Sequence, residues 1–215
     1  MAHKIEKLEN PARIAELSPQ NTLKRIGLEP GMTFADIGAG TGIFAIPAAK
    51  MTTEKVFALE ISEEMIQLLS QRKEEAGLDN LEVRQVEECI PLDDESCDLI
   101  LMVTVFHELD NKNGMLQEIR RALKANGLLT IIEFHGYETP MGPPVPHRIT
   151  KEVVQEHAEA NGFHLVESFD LGDNFYCQLY KQVWQLAHFC RESNWSTGSE
   201  CDILSCAKRG EVRRN

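Results

Sequence analysis

Short apolar runs alternate with amphipathic stretches along most of this 215-residue chain. Strand-like runs occur at MTFADIG, KVFALEI, LEVRQV, CDLILMVTV, GLLTIIEF, HLVESFDL and FYCQLYKQ. Helix-like segments over 42–51, 62–77 and 113–126 separate some of the first five. In the second helix Ser62 is placed as N-cap, Met65, Leu68 and Leu69 share one face, and Gly77 ends it. The third puts Met115, Ile119, Ala122 and Leu123 on one face and stops at Asn126 and Gly127, while a fourth runs from a Thr150 cap to Gly162. Such alternation predicts an α/β fold, a doubly wound sheet of mostly parallel strands with helices on both faces. The last two runs are joined by a turn over 172–174 with no helix between them, which predicts an antiparallel hairpin at the sheet edge.

Three stretches fall outside the alternation. A leading segment over 1–30 has a helical beginning broken by Pro11 and Pro19; it either closes over a ligand or packs on the sheet. The loop over 136–149 holds Pro140, Pro143, Pro144 and Pro146, which bar regular structure; it is either a substrate lid or a stiff connection. Residues 183–215 form an expected appendage that begins as a helix over 183–192, leaving one domain over 1–182.

The segment FADIGAGTG concentrates three glycines, Gly38, Gly40 and Gly42, between the first strand and its helix. Glycine clustered there marks backbone at positive φ or pressed against a ligand, at the strand edge where doubly wound folds bind theirs. The third glycine comes one position too early for the dinucleotide fingerprint, and Asp36 would repel a pyrophosphate but welcome a cation. At the end of the second strand, Glu60 is placed to accept hydrogen bonds from both hydroxyls of a ribose. Losing that pair would cost about 2–4 kcal/mol of binding.

Composition narrows the ligand further. A net charge of −12 disfavours DNA or RNA as a partner. The longest apolar runs, such as 128–132, are far too short to span a bilayer, and the first ten residues lack a secretory core. The six cysteines show no CxxC pair, so reduced thiols in a cytoplasmic protein are expected. His188, Cys190, Cys201 and Cys206 lack metal-ligand spacing, and no metal is expected.

Taken together, ADIGAGTG, VFALEIS, RRALKANGLLTIIEF and ECIPLDDESCDLILMVTVFHEL resemble the class I S-adenosylmethionine-dependent methyltransferases, in the branch that includes the ubiquinone and menaquinone methyltransferases. The resemblance runs over about 23–180 and implies a Rossmann-like seven-stranded sheet of order 3-2-1-4-5-7-6, its last strand antiparallel. It implies S-adenosylmethionine as cofactor, with Gly38, Ala39, Gly40 and Gly42 along its methionine part and Asp36 near its ammonium. By the same likeness Glu60 holds the ribose, Ile61 packs on the adenine and Thr104 shapes the pocket. Where the family usually has an aspartate toward the adenine, this chain has Val86 followed by Glu87; either Glu87 takes that role or backbone alone does.

His107, at the exit of the fourth strand, is the candidate general base; its other role would be to pack against the cofactor. His135 is read as a solvated loop residue, the other reading being that it faces the same cleft. If the 136–149 loop is a lid, His147 and Arg148 offer a donor to an anionic substrate. The function expected is methyl transfer to a small-molecule acceptor. Its rivals are an NAD-type oxidoreductase and a non-catalytic S-adenosylmethionine-binding protein.

Overall fold

The structure is a computed structural model, and it describes residues 2–87 and 89–183. The chain divides into two units, Met1–Val183 and Trp184–Asn215. The appendage helix expected over 183–192 and the His188, Cys190, Cys201 and Cys206 group lie outside the described residues, apart from Val183 itself.

Among the described residues seven strands form one sheet: β1 (Phe34–Ile37), β2 (Val56–Glu60), β3 (Leu81–Gln85), β4 (Cys97–Val103), β5 (Leu123–Phe134), β6 (Phe163–Leu171) and β7 (Phe175–Gln182). Their order is β3-β2-β1-β4-β5-β7-β6. The pairings β1 with β2, β1 with β4, β2 with β3 and β4 with β5 are parallel, while β7 runs antiparallel to both β5 and β6. The topology expected from the sequence is therefore the one observed. The chain reverses direction on either side of β1, and that switch point opens a crevice at the strands' carboxyl ends.

Alternation along the central strands sends neighbouring side chains to opposite faces. Phe34, Leu99 and Leu101 join one core with Leu17, Leu23, Phe44 and Ala48. Ala35, Ile100 and Met102 join the other with Leu116, Ile119, Val154 and Ala158. The first core is covered by α2 (Pro11–Leu17), α3 (Pro19–Arg25), α4 (Ala45–Met51) and part of α5 (Glu63–Ala76); the second by α6 (Lys112–Ala122) and α7 (Lys151–Ala160). All four residues of β1 are buried, so the loop that follows rests on a rigid strand.

Two local expectations change. Pro11 and Pro19 do not simply interrupt a helix; each opens a new one, because proline's fixed φ and missing N–H suit the first turn. Asn10 caps α2, its Oδ1 accepting from the Ala12 N–H at 2.9 Å, and Ser18 turns the chain at φ 37° before α3. A short helix α1 (Ala2–Leu8) precedes them. The other change is at α6, which stops at Ala122 rather than at Asn126 and Gly127. Leu123 is already extended and pairs with Cys97, so the Lys124–Gly127 stretch begins β5 across a bulge.

Candidate active site

The glycine loop leaves β1 at the switch point. Gly38 has φ 74° and Gly40 has φ 54°, conformations that a side chain seldom adopts. A Cβ on Gly38 would also overlap Val105, which is why the loop can lie flat against the end of β4. The Gly38 and Ala39 N–H groups donate to the Leu59 carbonyl at 2.8 and 3.0 Å, and Gly42 closes the turn on the Ala39 carbonyl at 2.8 Å. Gly42 itself packs beside Leu69 of α5 and Ile46 of α4.

Glu60 is buried and braces this loop. Its Oε2 accepts from the Gly40 N–H at 2.8 Å, and its Oε1 accepts from the N–H groups of Ile61 and Ser62 at 3.0 Å each. These charge-assisted bonds tie the tip of β2 to the turn after β1. Ser62 stands at the N-cap of α5 as expected, but its side chain makes no capping bond. Ile61, next to Glu60, leaves 72% of its surface in solvent. Past β3, the Val86 N–H donates to the Glu60 carbonyl at 2.9 Å, and the Glu87 side chain is exposed.

Asp36 is only 3% exposed and lies on the loop side of β1. Burial, reinforced by the charge of Glu60, pushes its carboxyl up to about 7, against a hydrogen bond from the Ala45 backbone. Leu8 and Arg13 close over Asp36, Gly38 and Gly40, leaving a recess of about 20 Å³.

Arg13 also lines a larger neighbouring cavity of about 400 Å³, with Thr104, His107, Phe134, Met141 and Phe175. Its Nη2 donates to the Thr104 hydroxyl at 3.1 Å. Thr104 sits at φ 54°, rare for a β-branched residue, as the chain leaves β4; its N–H still donates to the Ile132 carbonyl at 2.7 Å. His107 follows in a single turn of 3₁₀ helix over Phe106–Glu108. Its Nδ1 lies 2.8 Å from Oε2 of Glu133, and its backbone N–H donates to Oε1 of the same carboxylate at 3.1 Å. The buried carboxylate accepts from Nδ1–H, which leaves the Nε2 lone pair directed away from Glu133. Burial alone would lower the imidazole's pKa, but the hydrogen bond and charge of Glu133, helped by Glu108, together raise it.

The ten positions singled out in the sequence thus divide. Asp36, Gly38, Ala39 and Gly40 line the small recess, with Gly42 closing the turn and Glu60 bracing it; Thr104 and His107 line the larger cavity; Ile61 and Glu87 lie exposed. Two expectations fail. His135 is not a solvated loop residue, nor does it line either cavity; it is buried, stacked on Tyr137 with ring centroids 4.8 Å apart. Arg148 is not a free donor. It staples the proline loop by donating to the carbonyls of Pro143, His135, Tyr137 and Met141 and to the Thr139 hydroxyl. The loop it holds does reach the site, since Met141 and Pro143 line the larger cavity. His147 borders a further cavity of about 500 Å³ that His107 also lines.

Glu133 and Arg13 were not singled out in the sequence. Glu133 reads as part of a strand and Arg13 as part of an amphipathic lead, and only the fold brings them to Thr104 and His107.

A family model described as a methyltransferase domain matches residues 35–131. A demethylmenaquinone methyltransferase of Tropheryma whipplei is 33% identical over 111 residues, covering 52% of this chain and 45% of the relative. The UbiE ubiquinone/menaquinone biosynthesis C-methyltransferase of Bordetella avium is 30% identical over 125 residues, 57% of this chain and 48% of the relative. The chain spans about half the length of these curated relatives. A solved S-adenosylmethionine-dependent methyltransferase from Aquifex aeolicus is 33% identical, with a TM-score of 0.79 over 83% of this chain and 96% of that one. The [4+2]-cyclase SpnF superposes with a TM-score of 0.69 at 18% identity over 78% of this chain and 81% of that one, a likeness of fold alone.

Proposed function

Since the chain belongs to the class I S-adenosylmethionine-dependent methyltransferases, we propose that it moves a methyl group from S-adenosylmethionine to a small molecule seated in the cavity beside His107. One observation carries this reading. The recess that holds the buried Asp36 and the cavity that holds His107 are adjoining spaces, with Arg13 lining both. A cationic donor at the first and an acceptor in the second would meet near Thr104.

The residues present fit the cofactor. Asp36, pushed up to about 7 by burial, is relieved by a neighbouring ammonium. The glycine loop offers backbone without side chains, and Glu60 keeps one acceptor site, on Oε2, beyond the three it gives to N–H groups. Ile61 supplies exposed apolar surface for an adenine, with Glu87 beside the same edge.

When bound, the cofactor supplies an electrophilic methyl on a sulfonium. The protein's own task is alignment and exclusion of water. Leu8, Phe134 and Phe175 give the cavity an apolar lining. His107 takes the proton from an acceptor hydroxyl or amine through Nε2, and Glu133 holds the ring and the imidazolium that forms. The net charge of −12 keeps polyanionic nucleic acid off the list of acceptors. Six cysteines without a CxxC pair support a reducing, cytoplasmic setting. Among the described residues no helix is long and apolar enough to cross a membrane.

The test is twofold. Calorimetry should detect S-adenosylmethionine and S-adenosylhomocysteine but not NAD. A panel of phenols, amines, thiols and quinols should then yield S-adenosylhomocysteine with at least one acceptor. Binding of NAD in place of the sulfonium ligand would overturn the proposal.

A further inference from the structure

Arg13 is 6% exposed, yet its guanidinium is only partly spent. Nη2 donates to Thr104, while nothing among the described residues accepts from Nε. The side chain lies over aromatic rings, its guanidinium carbon 5.4 Å from the centroid of Phe175 and 6.0 Å from that of Phe134. Glu133 is the acid whose charge acts on it, and both Glu133 oxygens already accept from His107. Burial accordingly lowers the Arg13 pKa to about 10, a cation short of a counter-ion.

Building on the methyltransferase reading above, we propose that Arg13 is the anion-recognition residue of the acceptor cavity. The acceptor is an apolar molecule carrying a carboxylate or equivalent planar oxyanion, gripped by the Arg13 guanidinium while its nucleophile faces His107.

Arg13 borders the recess beside Asp36 too, but the rings it lies over belong to the acceptor side. Phe134 ends β5 and Phe175 begins β7, whereas the glycine loop follows β1, with β4 and its Thr104 lying between. The rest of the cavity is mostly apolar, with Leu8, Phe134, Met141 and Phe175 beside the polar Thr104 and His107. Lys7 adds a second cation at the rim, opposed there by the exposed Glu108. A forked guanidinium matches a planar oxyanion with two parallel hydrogen bonds, and low polarity around it strengthens both. The chain as a whole carries −12, so an anion gains nothing from long-range attraction and has to be recognised by contact.

Matched probes test the idea without any variant. Calorimetry on the wild-type chain, with and without saturating S-adenosylhomocysteine, compares 1-naphthoate with the neutral 1-naphthamide. The carboxylate should bind about tenfold tighter or better, as expected for hydrogen bonds to a charged group. Arg13→Met should bring that ratio to within about twofold, and Arg13→Lys should restore part of it. Equal affinity for the two probes in the wild type overturns the proposal. So does an Arg13→Met chain that keeps the preference but loses S-adenosylhomocysteine, because the guanidinium would then serve the cofactor. Arg13-dependent naphthoate binding by a wild-type chain that ignores S-adenosylhomocysteine would uphold the anion site and refute the methyltransferase reading instead.

Discussion

Nδ1 of His107 stands 2.8 Å from Oε2 of Glu133, a carboxylate whose side chain is 1% exposed. The pairing fixes which imidazole nitrogen is free and holds the His107 pKa above its ordinary 6.5 despite burial. A raised histidine is protonated at lower pH, so its general-base form appears only as pH rises. The kcat/KM for a hydroxyl or amine acceptor should climb with pH through a midpoint above 6.5. In Glu133→Gln that midpoint should fall and the plateau should drop by roughly tenfold or more. A pH profile on both proteins decides it: an unmoved midpoint would mean that Glu133 does not govern His107.

Asp36 offers a second titration. Its folded pKa, about 7, lies above the ordinary carboxyl value of 3.8. The sign is that of an acid disfavoured as an anion: its cost to stability is full above about 7 and disappears toward the unfolded value as pH falls. A ligand ammonium beside it should lower the pKa again, so binding near pH 6 should release up to about one proton. Calorimetric enthalpies of S-adenosylmethionine binding in phosphate and in Tris should therefore diverge at that pH. In Asp36→Asn they should coincide; divergence of equal size there would remove Asp36 as the source.

Glu60 braces the glycine loop besides the ribose contact proposed for it. Its three backbone hydrogen bonds tie the glycine loop to the tip of β2, so Glu60→Ala would take the acceptor from three partly buried N–H groups. That variant should lose about 2–4 kcal/mol of stability along with cofactor affinity, which confounds the two roles. Glu60→Gln keeps one oxygen for the Ile61 and Ser62 N–H groups but sets its NH2 against the Gly40 N–H, so it should lose less stability than alanine while binding S-adenosylhomocysteine roughly tenfold more weakly. Wild-type affinity in Glu60→Gln would end the ribose assignment.

Most of the fold was legible because its signals are local. Apolar runs of four to eight residues, helix caps at Ser62 and Thr150, and the glycines at 38, 40 and 42 each speak within one segment. Asp36 and Glu60 were legible for the same reason, since each lies near the carboxyl end of a strand marked by its own apolar run. Arg13, Glu133 and the buried state of His135 were not, because each depends on a partner far along the chain, Tyr176 in the case of His135. Thr104 lies 91 residues from Arg13, and Glu133 lies 26 from His107. Arg148 misled for a related reason: a basic residue on a proline loop looks available until the loop's own carbonyls are seen to surround it. The early end of α6 was hidden as well, since Leu123 fits a helical face and its strand pairing with Cys97 is tertiary.

The Arg148 staple carries its own prediction. It donates at 2.7 Å to Pro143, Tyr137 and Thr139, binding together a loop that has no ladder of its own. Arg148→Met should cost about 2–4 kcal/mol, or roughly 5–10 °C in Tm for a domain of this size. Limited proteolysis should then cut within 136–149, where the wild type resists. A variant as stable and as resistant as wild type would make the staple ornamental.

The leading helix sets the last expectation. Leu8 packs over Gly40, and the residue after it, Glu9, pairs with Arg72 of α5. The same Arg72 Nη1 donates to the Thr41 carbonyl at 2.8 Å, so one guanidinium fastens α1 to both α5 and the glycine loop. The hydrogen bond from Arg72 to Glu9 holds that carboxyl below its usual range, and the pair is intact at neutral pH. With about 20 Å³ left beside Asp36, a cofactor has to displace Leu8 to reach the acid. Binding of S-adenosylhomocysteine in stopped flow should therefore saturate with concentration at the rate of α1 opening. Both partners of the latch are partly exposed, so its removal should be worth no more than about 1 kcal/mol. Arg72→Met should accordingly raise the plateau by roughly threefold, because the closed arrangement loses a tether that the open one never had. A rate that rises linearly in both proteins, with equal slopes, would show that α1 does not stand in the way.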